Sequence, residues 1–300
     1  MENKMDALLQ EFVSSLSLEK RLAKNSIDAY HKDIADFIAF LYSKGVNTPS
    51  DVSNTDVVSY LIKLKNDGRA GATVNRKVAS IRAFGTFLFA NGYISANLAS
   101  NIKSPKIARK SVDYLTIAEV ETLLELPDKT TKGVRDTAIL EVLYATGIRV
   151  SELTEMDLGE VNLRIGFITC TGEHGKARIV PLGRPSRAAL EAYIYDARIK
   201  LIHNEASEEK ALFVNYAGQR MTRQGLWKLI KLYAEKAGIA HKINPQIFRN
   251  SFAVHMVQNG ADLKSLQELL GHEDITTTQI YLESTKSKIK EVYDKSHPRA

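Results

Sequence analysis

Apolar positions recur at helical spacing through most of the first hundred residues. "MDALLQEFVSSLSLE" (5–19) and "SIDAYHKDIADFIAFLYSKG" (26–45) each predict an amphipathic helix, with Gly45 ending the second. "SNTDVVSYLIKLKNDG" (53–68) opens on Ser and Asn cap candidates and closes on Gly68. "TVNRKVASIRAFGTFLFANGYI" (73–94) predicts a fourth helix from a Thr73 cap. Four helices over this length make a small all-α bundle.

The periodicity breaks at "KSPKIARKSV" (103–112), which is rich in Lys and Arg, carries Pro105 and has few large apolar groups. It reads as an interdomain linker. The expected division is therefore a helical domain at 1–102, a linker at 103–112 and a second domain at 113–300. Beyond the linker, "TIAEVETLLEL" begins with a capping-box pattern, Thr116 to Glu119. "GVRDTAILEVLYATGI" predicts a largely buried helix. "IGFITCTGEHGKARIVPLG" has two β-branched runs around a Gly-bounded turn and predicts a β-hairpin. Helical spacing returns from "PSRAALEAYIYDARIKLI" onward. The fold class is mainly α with a small β-hairpin or sheet, an α+β chain.

Composition adds less than its distribution does. At 300 residues, with 44% hydrophobic and 25% charged residues, the chain is an ordinary globular protein of about two domains. No run is long and apolar enough to span a membrane. The start, "MENKMDALLQEFVSSL", lacks the cationic-then-apolar layout of a signal peptide. The single cysteine, Cys170, excludes an intramolecular disulfide and fits a reducing cytoplasm. No Cys/His cluster has metal-ligand spacing. Residues 1–110 hold 16 Lys and Arg against 10 Asp and Glu, while residues 111–300 hold 25 of each. The whole net charge of +6 thus lies in the first third, which points to a polyanion partner. Arg76, Lys77 and Arg82 are the candidates to meet it; a solvated helix face accounts for the same residues.

The candidate chemistry collects in two stretches. "ATGIRVSEL" (145–153) sets Arg149 at the end of an apolar helix, where a charge needs a partner or solvent. A salt bridge to Glu152 would supply one. "NPQIFRNSFAVHMVQNGADLKSLQELLGH" (244–272) places Arg249 at the opening of an apolar helix, pointing inward, then runs through a turn and a helix to a glycine stop that delivers His272. Tyr281 follows on a short helix. Taken singly, each has an ordinary structural reading: an ion pair, a helix-end hydrogen bond, a half-buried tyrosine.

As a set, these residues resemble the tyrosine recombinase (phage integrase) family, and its Xer-type members most closely. "ATGIRVSEL" is similar to the family's first arginine box. "FRNSFAVHMVQNGADLKSLQELLGHEDITTTQIY" is similar to the second, ending at the nucleophile. The resemblance covers nearly the whole chain. It implies a helical core-binding (SAM-like) domain, a linker, and a catalytic domain with a C-terminal tail helix. It implies site-specific cutting and rejoining of duplex DNA, in which Tyr281 attacks a phosphate, forms a 3′-phosphotyrosyl link and releases a 5′-hydroxyl. Arginine forks at 149 and 249 suit nonbridging phosphate oxygens and stabilise the developing charge without a metal. His272 would hydrogen-bond the phosphate or handle a proton. No cofactor is expected, and the chain has no Gly-rich phosphate loop ending in Lys-Ser/Thr, in keeping with exchange that needs no ATP. The resemblance further implies four protomers on two synapsed sites, alike or of two kinds, with possible accessory proteins.

Three positions depart from the family. Gln246 stands where the second box usually has His, and glutamine cannot exchange a proton near pH 7. Asn250 replaces a frequent His. In the hairpin, Glu173 falls where the catalytic lysine is usual, and Lys176 lies three residues on. These changes motivate a rival reading, a DNA-binding architectural or regulatory protein with the same fold and weakened catalysis. A type IB topoisomerase shares the chemistry but fits the short, two-box chain less well, and no carboxylate cluster suits a metal nuclease.

Overall fold

The computed structural model describes residues 4–18, 22, 24–98, 102, 112–172, 175–202 and 209–282. It divides into two compact units, Met1–Arg109 and Lys110–Ala300. The division falls inside the expected linker, of which only Val112 is among the described residues. The expected tail helix and Glu173 also lie outside them.

The first unit is helical: α1 Lys4–Leu18, α2 Lys24–Ser43, α3 Asn54–Asn66 and α4 Gly71–Ala90, with a 3₁₀ turn at Pro49–Asp51. Phe12, Ile34, Phe37, Leu41, Val57, Ile81, Phe84 and Leu88 are buried together, the apolar stripes that the spacing predicts. Each such side chain contributes about 1.5–3 kcal/mol. Ser53 and Asp56 cap α3 reciprocally. At α4 the expectation needs correcting: Ala70, not Thr73, is the N-cap, and Thr73 lies within the first turn. Cap preference is a local bias that packing overrides.

The cationic face of α4 also needs correcting. Lys77 turns inward and is buried. Its Nζ lies 3.1 Å from Asp33 Oδ1 and 2.8 Å from Asp36 Oδ2. Arg76 donates to Asp33 Oδ2 at 2.5 Å, and the Ser80 hydroxyl donates to the same oxygen at 2.9 Å. Arg82 donates to the Ile102 carbonyl. Both cations thus serve Asp33, Lys77 from a buried position and Arg76 from a partly exposed one.

The second unit begins with α5 Ile117–Glu125, α6 Thr131–Thr146 and α7 Val150–Glu155. Thr116 and Glu119 form the expected capping box. An antiparallel sheet follows, β1 Val161–Asn162, β2 Phe167–Thr171 and β3 Ala177–Pro181, in the order β1-β2-β3. The hairpin is where the sequence puts it, and the two-residue β1 is an addition too short to leave a period. Ile168 pairs with Val180 and Cys170 with Arg178. Ile168, Cys170 and Val180 are buried, while Phe167 and Ile179 are exposed. Alternation therefore puts Arg178 on the inward side of β3. Next come α8 Arg184–Ala192, a π turn Tyr193–Ala197, α9 Arg198–Ile202, α10 Arg223–Lys236, α11 Ile247–Gln258 and α12 Leu263–Leu270. A final helical segment occupies 276–282. Among the described residues, no helix is long and apolar enough to cross a membrane.

Candidate active site

Helix ends build the site. α6 stops at Gly147, which takes the left-handed conformation at φ 59°. Any side chain here would be strained, and a Cβ would sit 2.4 Å from Phe252 Cδ1. The stop turns the chain so that Arg149 becomes the N-cap of α7. Its own amide donates to Glu152 Oε2 at 2.7 Å, and its Nη1 donates to Glu152 Oε1 at 3.1 Å. The Arg149 side chain nevertheless stays 35% exposed. The salt bridge and the open position that the sequence offers as alternatives are both present.

Arg249, on the first turn of α11, is only 4% exposed. Its Nη1 donates to the Gly147 carbonyl at 2.8 Å and its Nη2 to the Leu270 carbonyl at 2.6 Å. These carbonyls end α6 and α12, where backbone acceptors are unfilled and carry partial negative charge. Burial first, and Arg149 second, lower the Arg249 pKa to about 10, so it remains a cation at neutral pH.

α12 ends at Gly271, again left-handed at φ 65°, and delivers His272. The imidazole Nδ1 is 2.9 Å from Thr278 Oγ1, and the ring stacks on Tyr281 with centroids 6.4 Å apart and planes at 14°. Burial, then Arg249, Arg149 and Arg178, lower its pKa to about 4, so the imidazole is neutral at pH 7. Tyr281 is 3% exposed and packs with Phe252, Leu266 and Leu270. Its hydroxyl donates to Asn250 Oδ1 at 3.3 Å, while Asn250 Nδ2 donates to the Asp113 carbonyl at 3.0 Å, which fixes the amide's orientation. Burial raises the phenol pKa, and Arg249 and Arg149 oppose that rise. The four residues Arg149, Arg249, His272 and Tyr281 thus come together.

Lys176 and Gln246 lie at two openings that share Arg149. One cleft, about 590 Å³, is lined by Arg149, Lys176, Arg178, His272, Glu273 and Thr277 among others. Lys176 is 81% exposed there, 3.7 Å from Glu273 Oε1. The other, about 360 Å³, is lined by Arg149, Arg249, Gln246, Pro245, Arg223 and Trp227 among others. Gln246 is exposed as the N-cap of α11.

Three participants escape sequence reasoning. Arg178 grips Glu152 with two parallel bonds, 2.7 and 2.9 Å, and donates through Nε to the Leu269 carbonyl at 2.7 Å. This bidentate pair ties β3, α7 and the end of α12 together. The Arg178 hydrogen bonds hold the Glu152 carboxyl below its usual pKa despite burial. Glu152 appeared only as a partner for Arg149, and Thr278 only as one of three threonines. The alternation along β3 was the one available signal, since it sets Arg178 on the same side as Val180.

The family profiles "Phage integrase family" and "Phage integrase, N-terminal SAM-like domain" match residues 113–288 and 9–92. The tyrosine recombinase XerD of Oceanobacillus iheyensis is 41% identical over 297 residues, covering 99% of this chain and all of the relative. The tyrosine recombinase XerC of Roseiflexus castenholzii is 40% identical over 279 residues, 92% of this chain and 88% of the relative. Among solved structures, the XerH site-specific recombinase bound to its palindromic difH substrate, a post-cleavage complex, superposes with a TM-score of 0.75 at 20% identity. That likeness covers 97% of this chain and 90% of the other, and at this identity it speaks for the fold.

Proposed function

The chain belongs to the phage integrase family and is an Xer-like tyrosine site-specific recombinase, and we propose that Tyr281, Arg149, Arg249, His272, Lys176 and Gln246 carry out its strand cleavage and rejoining on duplex DNA. The observation that carries this assignment is the excess of buried positive charge beside a tyrosine. Arg149 and Arg178 share one carboxylate, Glu152, and Arg249 beside them rests on two backbone carbonyls, an excess of positive charge that suits a phosphate.

Tyr281 Oη attacks the phosphorus, the bond to the 5′-oxygen breaks, and a 3′-phosphotyrosyl ester remains. The phenol loses its proton and the departing 5′-oxygen gains one. Rejoining reverses these transfers: a 5′-hydroxyl attacks the ester and the phenol is restored. The ester retains the energy of the broken bond, so no nucleotide is consumed. Arg149 and Arg249 hold the nonbridging oxygens and stabilise the charge that grows in the transition state. His272, neutral at pH 7, adds a hydrogen bond. Lys176, at the mouth of the cleft, gives the leaving oxygen its proton, and Gln246 holds an oxygen without proton transfer. Asn250 orients the phenol through a hydrogen bond, since an amide oxygen is too weak a base to take its proton.

Residues 1–102 act as the core-binding domain and 103–112 as the connection to a catalytic domain at 113–300. Arg76 and Arg82 reach phosphates, most contacts there being to the backbone rather than to base edges. The working assembly is a tetramer on two synapsed sites in the cytoplasm.

The deciding experiment offers a nicked duplex substrate and looks for denaturant-resistant protein–DNA adducts. Wild-type protein forms them; Tyr281→Phe binds DNA with unchanged affinity and forms none. Adducts from the Phe variant would remove Tyr281 from its role. No adducts from wild-type protein on any tested site would favour the architectural reading.

A further inference from the structure

His272 has two ring nitrogens, and which one carries the proton decides what it offers a substrate. Thr278 is fully buried and lies on the segment 276–282, three residues before Tyr281. Its hydroxyl oxygen is 2.9 Å from Nδ1 of His272. The neighbouring threonines use other acceptors: Thr276 donates to Asp274 Oδ2 and Thr277 to the Asp274 carbonyl. Among the described residues, Nδ1 is the acceptor within reach of the Thr278 hydroxyl. Leaving that buried proton without an acceptor would cost about 1–3 kcal/mol. The hydroxyl therefore donates, Nδ1 holds the lone pair, and the imidazole proton sits on Nε2.

We propose that Thr278 is a positioning residue that fixes His272 as the Nε2–H tautomer, so that the ring meets a phosphate oxygen as a hydrogen-bond donor rather than as a base. The proposal rests on the recombinase reading for its consequence and on local geometry for its tautomer. The surroundings agree, because burial first, then Arg249, Arg149 and Arg178 around the ring, disfavour an imidazolium, with Glu152 opposing them. Positions three apart lie on one side of a helix, so Thr278 and Tyr281 approach His272 together. The segment that places the nucleophile also sets the histidine's proton. A displacement of 276–282 removes both at once.

The test uses the full-length chain. Long-range proton–nitrogen correlation spectra near pH 7 distinguish the two neutral tautomers, with the His272 signal assigned by its loss in His272→Gln. The expected pattern is Nε2–H in wild-type protein and in Thr278→Ser. An Nδ1–H pattern in the wild type overturns the proposal. Covalent capture on nicked DNA is the second readout. Thr278→Val, close in shape but without the hydroxyl, should slow capture about tenfold at unchanged DNA affinity, and Thr278→Ser should return within about twofold of wild type. Capture by the Val variant at the wild-type rate, or a Ser variant as slow as Val, rejects the role. If the Val variant fails to fold, the spectra of the wild-type and Ser proteins decide. If the wild type captures no DNA, the recombinase assignment fails while the spectra still decide the tautomer.

Discussion

Two of the places where this chain buries a cation balance its charge in opposite ways. In the N-terminal unit, Lys77 lies between Asp33 and Asp36, and Arg76 adds a second cation to Asp33. Two positive groups meet two carboxylates. In the C-terminal unit, Arg149 and Arg178 share Glu152, and Arg249 rests on two backbone carbonyls. Three positive groups meet one carboxylate. The pKa directions follow: burial lowers the Lys77 ammonium, but Asp36 and Asp33 more than offset it and the pKa rises. Burial also lowers Arg249, and Arg149 lowers it further. A buried charge left without a counter-charge costs several kcal/mol. The first cluster is balanced within the protein; the second keeps positive charge in excess.

Arg249→Lys breaks the comparison most severely. It keeps the charge and loses the planar fork that spans the Gly147 and Leu270 carbonyls. Capture on nicked DNA should slow by about 10²–10³-fold, equivalent to about 3–4 kcal/mol, with DNA affinity within about tenfold. Capture within tenfold of wild type would mean that Arg249 serves packing alone.

Lys77→Met asks the same question of the balanced cluster. Removing one partner of a buried ion pair typically costs about 3–5 kcal/mol, and the remaining Arg76–Asp33 pair places this variant near the lower end. The protein's single tryptophan, Trp227, lies in the C-terminal unit, so its fluorescence follows that unit while circular dichroism follows both. Urea should unfold part of the dichroism signal earlier in Lys77→Met and leave the fluorescence transition in place. The pH dependence has a definite sign. The folded-state pKa of Lys77 lies above its unfolded value, so its contribution is complete below about pH 10.4 and fades as pH climbs through the raised folded value. An unchanged urea profile at pH 7 would show that the cluster does not hold the fold.

The same contrast explains what could be read from the sequence. Helices, caps and the hairpin leave local periods and stop signals, so α3, α6, α11, α12 and the β2–β3 pair stand where the pattern puts them. Arg149, Arg249, His272 and Tyr281 were singled out through the resemblance of two motifs to the family's boxes. Partners were not. Nothing local says that Lys77 turns under α2 to Asp33, 44 positions earlier in the chain, or that Arg178 reaches across to Glu152, 26 positions earlier. Alternation along β3 gives the side Arg178 faces, but which distant carboxylate each cation meets is decided by tertiary packing. Thr278 was hidden differently: three consecutive threonines look alike until burial singles out one.

A simple anion provides the smallest test of the comparison. Inorganic phosphate offers the charge and the oxygens of a DNA phosphate without the duplex. An anion that binds the folded site at tenfold its dissociation constant stabilises by about 1.4 kcal/mol, or about 3–5 °C in a unit of this size. Millimolar phosphate should raise the midpoint of the Trp227 fluorescence transition by this order, relative to sodium chloride at equal ionic strength. Low concentration matters, because phosphate at high concentration strengthens burial in any protein by exclusion from its surface. The gain should shrink in Arg249→Lys, where the fork is gone, and persist in Lys77→Met, whose change lies in the other unit. Equal gains from chloride, or an undiminished gain in Arg249→Lys, would show that the positive excess around Tyr281 is not an anion site.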